Sequence, residues 1–189
     1  MVLPGHLAGG YLATYGILAL SSSTAGFSSF SPTELSVLFI IGTLAGELPD
    51  LDLAWFYLEN RNHKHSKVHS HREHITHTPI FWLGISALIA IFGFIFNSSF
   101  ISFVGLLILA GTWTHFILDS IESGIRWLWP FSNKSFCLIK TKIEGPKPNG
   151  TVGGFNYYWK YVKSEYLTSV TFYAETFITM IAILVFLFA

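Results

Sequence analysis

Charge is scarce in this chain. Asp, Glu, Lys and Arg make up 12% of its 189 residues, about half the share of an ordinary soluble domain. Hydrophobic residues make up 51% and mean hydropathy is +0.51, which points to a membrane protein. Eleven cations balance eleven anions, so no global basic field argues for nucleic acid. Cysteine is nearly absent: Cys137 stands alone, which excludes an intramolecular disulfide and any Cys-rich zinc motif. The start, Met1 to His6, lacks a basic region, and no small-residue cleavage site follows the first apolar run, so that run is expected to stay as a span. There is no internal repeat of useful length, Walker loop, Ser nucleophile motif or dinucleotide fingerprint. Gly42 to Gly46 is a small-x-x-x-small pattern suited to helix packing.

What is present is apolar length. Runs extend roughly from Leu7 to Leu20, Leu35 to Leu48, Ile80 to Phe96, Phe100 to Leu118 and Leu167 to Ala189. A span needs about 20 mostly apolar residues, so the last three qualify and the first two need their flanks. The prediction is an all-α, polytopic membrane protein with about five transmembrane helices in one integral domain, 1–189. Every Lys and Arg falls in Arg61 to Arg72 or in Arg126 to Lys163, whereas Ser21 to Thr33 and the turn at Asn97 to Ser99 carry none. Cationic loops stay cytoplasmic. That rule puts the N-terminus and the loop 132–165 inside, the C-terminus outside, and the protein in the plasma membrane. Gly145 to Gly154 reads as a loop.

The ligand-type side chains cluster at span ends. His6 begins the first span, Gly46-Glu47-Leu48-Pro49-Asp50-Leu51-Asp52 ends the second, His71, His74 and His77 precede the third, and His115 and Asp119 close the fourth. Alternating span directions bring all four places to one membrane face. His115 and Asp119, four apart, share one helix face within reach of one ion. Such a pair is also an ordinary structural hydrogen bond, but near the end of an apolar helix it needs a partner or an aqueous pocket. Asp50 and Asp52 cannot share a helix face; Pro49 disfavours helix at Leu48, so a turn there can aim both carboxylates at one place. The plain alternative is a solvated helix exit.

His63, His65 and His69 belong to a His-rich tract that faces water or binds metal loosely. His77 differs, since Pro79 opens the third span just after it, and either His71 or His74 lies a turn or two before. Imidazoles and carboxylates without thiolates suit a catalytic zinc, with manganese or iron as alternatives. Such an ion lowers the pKa of bound water and polarises a phosphoryl or carbonyl oxygen, so hydrolysis is the natural reaction class. Arg72 is read as a phosphate clamp, a carboxylate partner or a topology charge. Glu47 is read as a general base, a supporting partner of the ligands or a solvated helix end. Glu175, deep in the last run, is expected to stay protonated or to bond a polar neighbour such as Thr171 or Thr179, away from the cluster. Trp127, Trp129 and Phe131, and the stretch Phe155 to Lys163, read as an interfacial aromatic belt rather than a nucleic-acid stacking surface.

Gly5-His6-Leu7, Leu48-Pro49-Asp50-Leu51-Asp52, His71-Arg72 with Thr76-His77-Thr78, and His115-Phe116-Ile117-Leu118-Asp119 leading to Gly124 and Leu128-Trp129-Pro130-Phe131 occur in order over residues 5–131. In this the chain resembles the LexA-binding, inner-membrane-associated metal-dependent hydrolase family. That family's pattern has two residues between His-Arg and Thr-His; here Glu73, His74 and Ile75 make three, so His74 stands as a substitute for His71. More distantly, Asp, His and H-x-x-x-D are similar to part of the zinc-dependent phospholipase C and P1 nuclease site. No His follows His115, so the ligands allow one ion, or two bridged by carboxylates. The resemblance implies a membrane-bound hydrolase in the inner membrane, acting through metal-activated water on a phosphate ester or a lipid-like substrate. It also implies a protein partner, which no residue here indicates. The competing class is a non-catalytic metal-binding sensor or scaffold.

Overall fold

Five α-helices carry the apolar runs among the described residues: α1 (Leu3–Ser22), α2 (Pro32–Ala45), α3 (Pro79–Ile95), α4 (Ser99–Asp119) and α5 (Val170–Phe188). The computed structural model describes residues 3–22, 30–53, 55, 71–140, 159, 162–163 and 165–188. Within them there is no strand, only an isolated bridge between Ile125 and Phe136. Most of the loop 132–165, the tract holding His63, His65 and His69, and nearly all of the aromatic stretch from Phe155 lie outside these residues.

Local chemistry sets the helix ends. Ser31 and Glu34 form a reciprocal capping box, with Pro32 in the first turn, and so start α2. That helix stops at Ala45, earlier than the apolar run, because a turn at Gly46 and Glu47 leads into a 3-10 turn over Leu48–Asp50 around Pro49. Pro79 opens α3 after an extended Thr78. Asn97, at φ 52°, turns the chain left-handed between α3 and α4, and the Ser98 hydroxyl caps the latter. Ser169 caps α5, and the Glu122 carboxylate accepts the Thr171 N–H at 2.7 Å, placing negative charge at the positive end of that helix.

Packing is centred on α1 and α4. The first lies against α2, α4 and α5; α4 lies against α1, α2 and α3. Small residues allow the backbones to approach. A Cβ on Gly111 would meet Ala45 Cβ at 2.7 Å and the Gly42 carbonyl at 2.8 Å, and one on Gly46 would strike the His6 carbonyl. The Gly42 to Gly46 pattern is therefore a packing seam. Leu18, Leu38 and Leu107 form the apolar core together with Phe30, Phe39 and Phe103. Leu18 is twelve residues along α1 from His6, about 18 Å of helix, so apolar core and polar cluster occupy opposite halves.

Ser99–Asp119 and Val170–Phe188 are long and apolar enough to cross a membrane. Pro32–Ala45 and Pro79–Ile95 are shorter apolar helices of 14 and 17 residues. At 20 residues α1 has the length, but its glycines, Thr14 and tyrosines dilute its hydropathy. Large apolar side chains point outward, among them Phe94 and Phe188, each more than four-fifths exposed. Histidine and aspartate are inside, the inverse of a soluble domain.

Candidate metal centre

The start of α1, the turn after α2, the 3-10 turn before α3 and the last turn of α4 meet at one end of the bundle. His6, His77 and His115 are fully buried, and Asp119 is 1% exposed. His6 Nε2 lies 3.5 Å from Asp119 Oδ1 and 3.8 Å from Asp50 Oδ2. His115 Nε2 lies 3.7 Å from Asp50 Oδ1, and His77 Nε2 lies 3.6 Å from Asp119 Oδ2. These separations exceed the roughly 3.2 Å upper range of an N–H···O bond. They match the edge of a coordination polyhedron: two ligands bound at about 2.1 Å in tetrahedral geometry sit about 3.4 Å apart. Ligand atoms of His6, Asp50 and His115 lie within 4.8 Å of one another, as do those of His77, His115 and Asp119.

The far edges of two rings are occupied. His115 Nδ1 is 2.7 Å from the Gly46 carbonyl, which accepts its proton and leaves Nε2 with a lone pair toward the cluster. His77 Nδ1 is 3.2 Å from Asp52 Oδ2, and the Thr76 hydroxyl donates to the same oxygen at 3.2 Å. Trp82 Nε1 donates to the Thr76 carbonyl at 2.6 Å and so braces this turn. Asp52, Asp50 and His77 also form a third grouping of ligand-type atoms. Because Asp52 holds the Nδ1 edge of His77 while Nε2 faces Asp119, Asp52 fits an orienting role. His6 stacks on His115 with centroids 3.7 Å apart, and neither His6 ring nitrogen has a hydrogen-bond partner among the described residues. A buried imidazole in that condition is costly, and a cation at Nε2 would relieve it. Asp52→Asn is expected to lower zinc affinity by roughly 10- to 100-fold, the usual effect of losing an orienting carboxylate. A competition titration against a chromogenic chelator measures it, and wild-type affinity would remove Asp52 from this role.

Arg72 donates its Nε to Asp119 Oδ2 at 2.9 Å, so of the three readings of this residue the structure supports carboxylate partner. This guanidinium offsets the cost of burying Asp119 as an anion. Burial pushes the His77 imidazole down, but interaction with the Asp119 and Asp52 carboxylates outweighs it and holds the group above its ordinary value. Glu47 is half-buried; burial and the neighbouring Asp50 charge push its carboxyl up to about 7. It lies at the edge of the cluster and outside the three groupings.

The remaining candidates are placed differently. His74 is half-buried and belongs to none of the three groupings. His71 lies in the 3-10 turn His71–Glu73, and its side chain is outside the described residues. Glu175 has a polar partner, as expected, but departs from expectation in place: the Tyr166 hydroxyl donates to it, and its side chain packs where a Gly5 Cβ would be, one residue from His6. The polar partner comes from the 3-10 turn before α5 instead of the helix's own threonines, because folding α5 onto α1 brings that turn over the carboxylate. Gly46 as a backbone acceptor, Thr76 and Trp82 as braces, and Arg126 were not singled out from the sequence. Only Thr76 carried a signal there, through the Thr-His-Thr motif.

An all-helical bundle with outward apolar faces, two helices long and apolar enough to cross a membrane, and a buried His and Asp cluster at one end fits the class of membrane proteins with a potential metal site. The chain belongs to the YdjM inner membrane protein family, whose model matches residues 1–189. No curated protein and no solved structure matches it. The hydrolase and the phospholipase C or P1 nuclease resemblances therefore rest on the short motifs alone.

Proposed function

We propose that this inner membrane protein is a metal-dependent hydrolase acting on a phosphate ester or lipid-like substrate at the membrane interface. One observation carries the reading: three imidazole Nε2 atoms face two carboxylates at 3.5 to 3.8 Å, two of the rings being aimed by partners on their opposite nitrogens. His6, Asp50, His77, His115 and Asp119 would hold a divalent ion. Zinc suits this nitrogen and oxygen set, as do manganese and iron. Once bound, it would supply an acidified water and a Lewis acid for a phosphoryl oxygen. Asp52 and the Gly46 carbonyl orient His77 and His115, and Arg72 positions Asp119. Glu47, half-buried next to Asp50, is the carboxyl placed to take up and return a proton.

Metal analysis of the purified protein, joined to turnover assays on phosphate mono- and diesters in detergent with zinc and with manganese, tests the reading. Stoichiometric metal with ester cleavage is the expected result. Tight metal without turnover would replace the hydrolase with a metal sensor.

The same proposal has all five helices crossing the membrane, with the cluster and both cationic stretches cytoplasmic and the C-terminus outside. Cys137, half-buried in the post-α4 segment, serves as a natural reporter. A membrane-impermeant maleimide should leave it unlabelled in intact spheroplasts and label it after permeabilisation. Labelling of intact spheroplasts would reverse the orientation.

A further inference from the structure

The segment after α4 is held by pairs of backbone bonds. Ile125 and Phe136 exchange N–H···O contacts at 3.0 and 2.9 Å, Leu138 and Ile139 donate to the Ser120 and Ile121 carbonyls, and Ile125 is 1% exposed. Arg126 therefore springs from a fixed point. Its Nη2 donates to the Arg72 carbonyl at 3.1 Å, which ties it to the residue whose own guanidinium holds Asp119. Among the described residues the buried Arg126 Nε has no hydrogen-bond partner, and no carboxylate pairs with this cation. A guanidinium presents five donors, and a half-buried one that engages only a neutral carbonyl is poorly compensated.

Charge counting says what would compensate it. Asp50, Asp52 and Asp119 contribute three negative charges, while Arg72 and Arg126 contribute two positive ones. Over these five side chains, with neutral imidazoles, one divalent ion changes the sum from −1 to +1, and an ionised Glu47 beside Asp50 would bring it to 0. Loading therefore removes the net negative charge that would repel an anion, and Arg72 is already committed to Asp119.

We propose that Arg126 is the phosphate-binding residue of this site, its guanidinium taking the anionic oxygens of a substrate phosphate group while other oxygens of that group face the metal centre. A phosphate offers enough oxygens to reach both a cation and a guanidinium fork, and this favours it over a carboxylate. The inference rests on the hydrolase reading and adds the group by which its substrate is recognised. The phosphate can belong to a soluble ester or to a lipid headgroup.

The test uses the full chain, zinc-loaded and zinc-free, with inorganic phosphate titrated calorimetrically in detergent and phosphatidic acid presented in nanodiscs. Arg126→Gln should weaken phosphate binding by about tenfold or more, the loss expected for a charge-assisted contact. Its zinc affinity should stay within about twofold of wild type, and Arg126→Lys should recover part of the phosphate affinity. Tighter, Arg126-dependent binding of phosphatidic acid assigns the phosphate to a headgroup, and a dependence seen only with inorganic phosphate assigns it to a soluble ester. Equal phosphate affinity in wild type and Arg126→Gln overturns the proposal, and so does acetate binding as tightly as phosphate. Failure of wild type to bind zinc overturns the metal-centre reading and this proposal with it, whereas zinc binding with unchanged phosphate affinity in Arg126→Gln overturns this proposal alone.

Discussion

His115→Ala is expected to weaken zinc binding by more than about 100-fold and to abolish ester turnover. His115 belongs to two of the three groupings, one with His6 and one with His77, so its Nε2 is the donor whose loss opens both at once. Loss of an orienting partner alone costs roughly 10- to 100-fold, and loss of a direct ligand must exceed that. The same change strands the Gly46 carbonyl and removes the ring stacked on His6, so a fall in stability is expected too. His115→Asn separates the two effects, because its amide can still donate to Gly46 while the metal-facing nitrogen is gone. Equilibrium dialysis with zinc reads out both variants. Stoichiometric zinc in each of them, at wild-type affinity, would eliminate the metal centre.

Zinc is expected to stabilise the wild-type protein against thermal unfolding by about 4 kcal/mol at a thousandfold excess over its dissociation constant. A chelator should reverse this. The physical source is the cluster itself. Asp50, Asp52 and Asp119 lie around three buried imidazoles with Arg72 as the paired cation, so a divalent ion removes carboxylate repulsion and fills the unpartnered His6 nitrogen. Protons compete with zinc for the His77 imidazole, which the Asp119 and Asp52 carboxylates hold above its ordinary value, and the zinc-dependent part of the stability should therefore shrink as pH falls. His115→Ala should show no zinc-dependent shift. Intrinsic fluorescence melts with and without chelator measure the difference, and melting curves that coincide for the wild-type protein would contradict it.

Much of this architecture can be read from local features. The apolar runs placed all five helices to within a few residues, since a long nonpolar run bounded by polar turns reads as one helix. Pro49 announced the break after α2, and that break is what lets Asp50 reach His6 and His115 while Asp52 reaches His77. Other features were not legible, because they depend on separations along the chain that carry no local signal. Arg126 meets Arg72 across 54 residues and Thr171 meets Glu122 across 49. The choice between His71 and His74 was beyond local reading for the same reason: a 3-10 turn aims its side chains according to what braces it, and Trp82 braces the turn that carries His77.

By itself the sequence determined that this protein is helical, apolar on its outside and equipped with ligand-type residues at the ends of four helices. These properties follow from composition, periodicity and the order of runs, which are local quantities. The tertiary structure alone decided which residues share a point in space, and it did so through backbone packing. Glycines at 42, 46 and 111 bring α1, α2 and α4 close enough for the His6, Asp50 and His115 side chains to meet. The packing of α5 on α1 sets Glu175 beside Gly5, and the segment after α4 leaves Arg126 on the Arg72 carbonyl with no acidic partner among the described residues. Contacts of this kind depend on how closely distant backbones can approach, and that is a property of the assembled bundle.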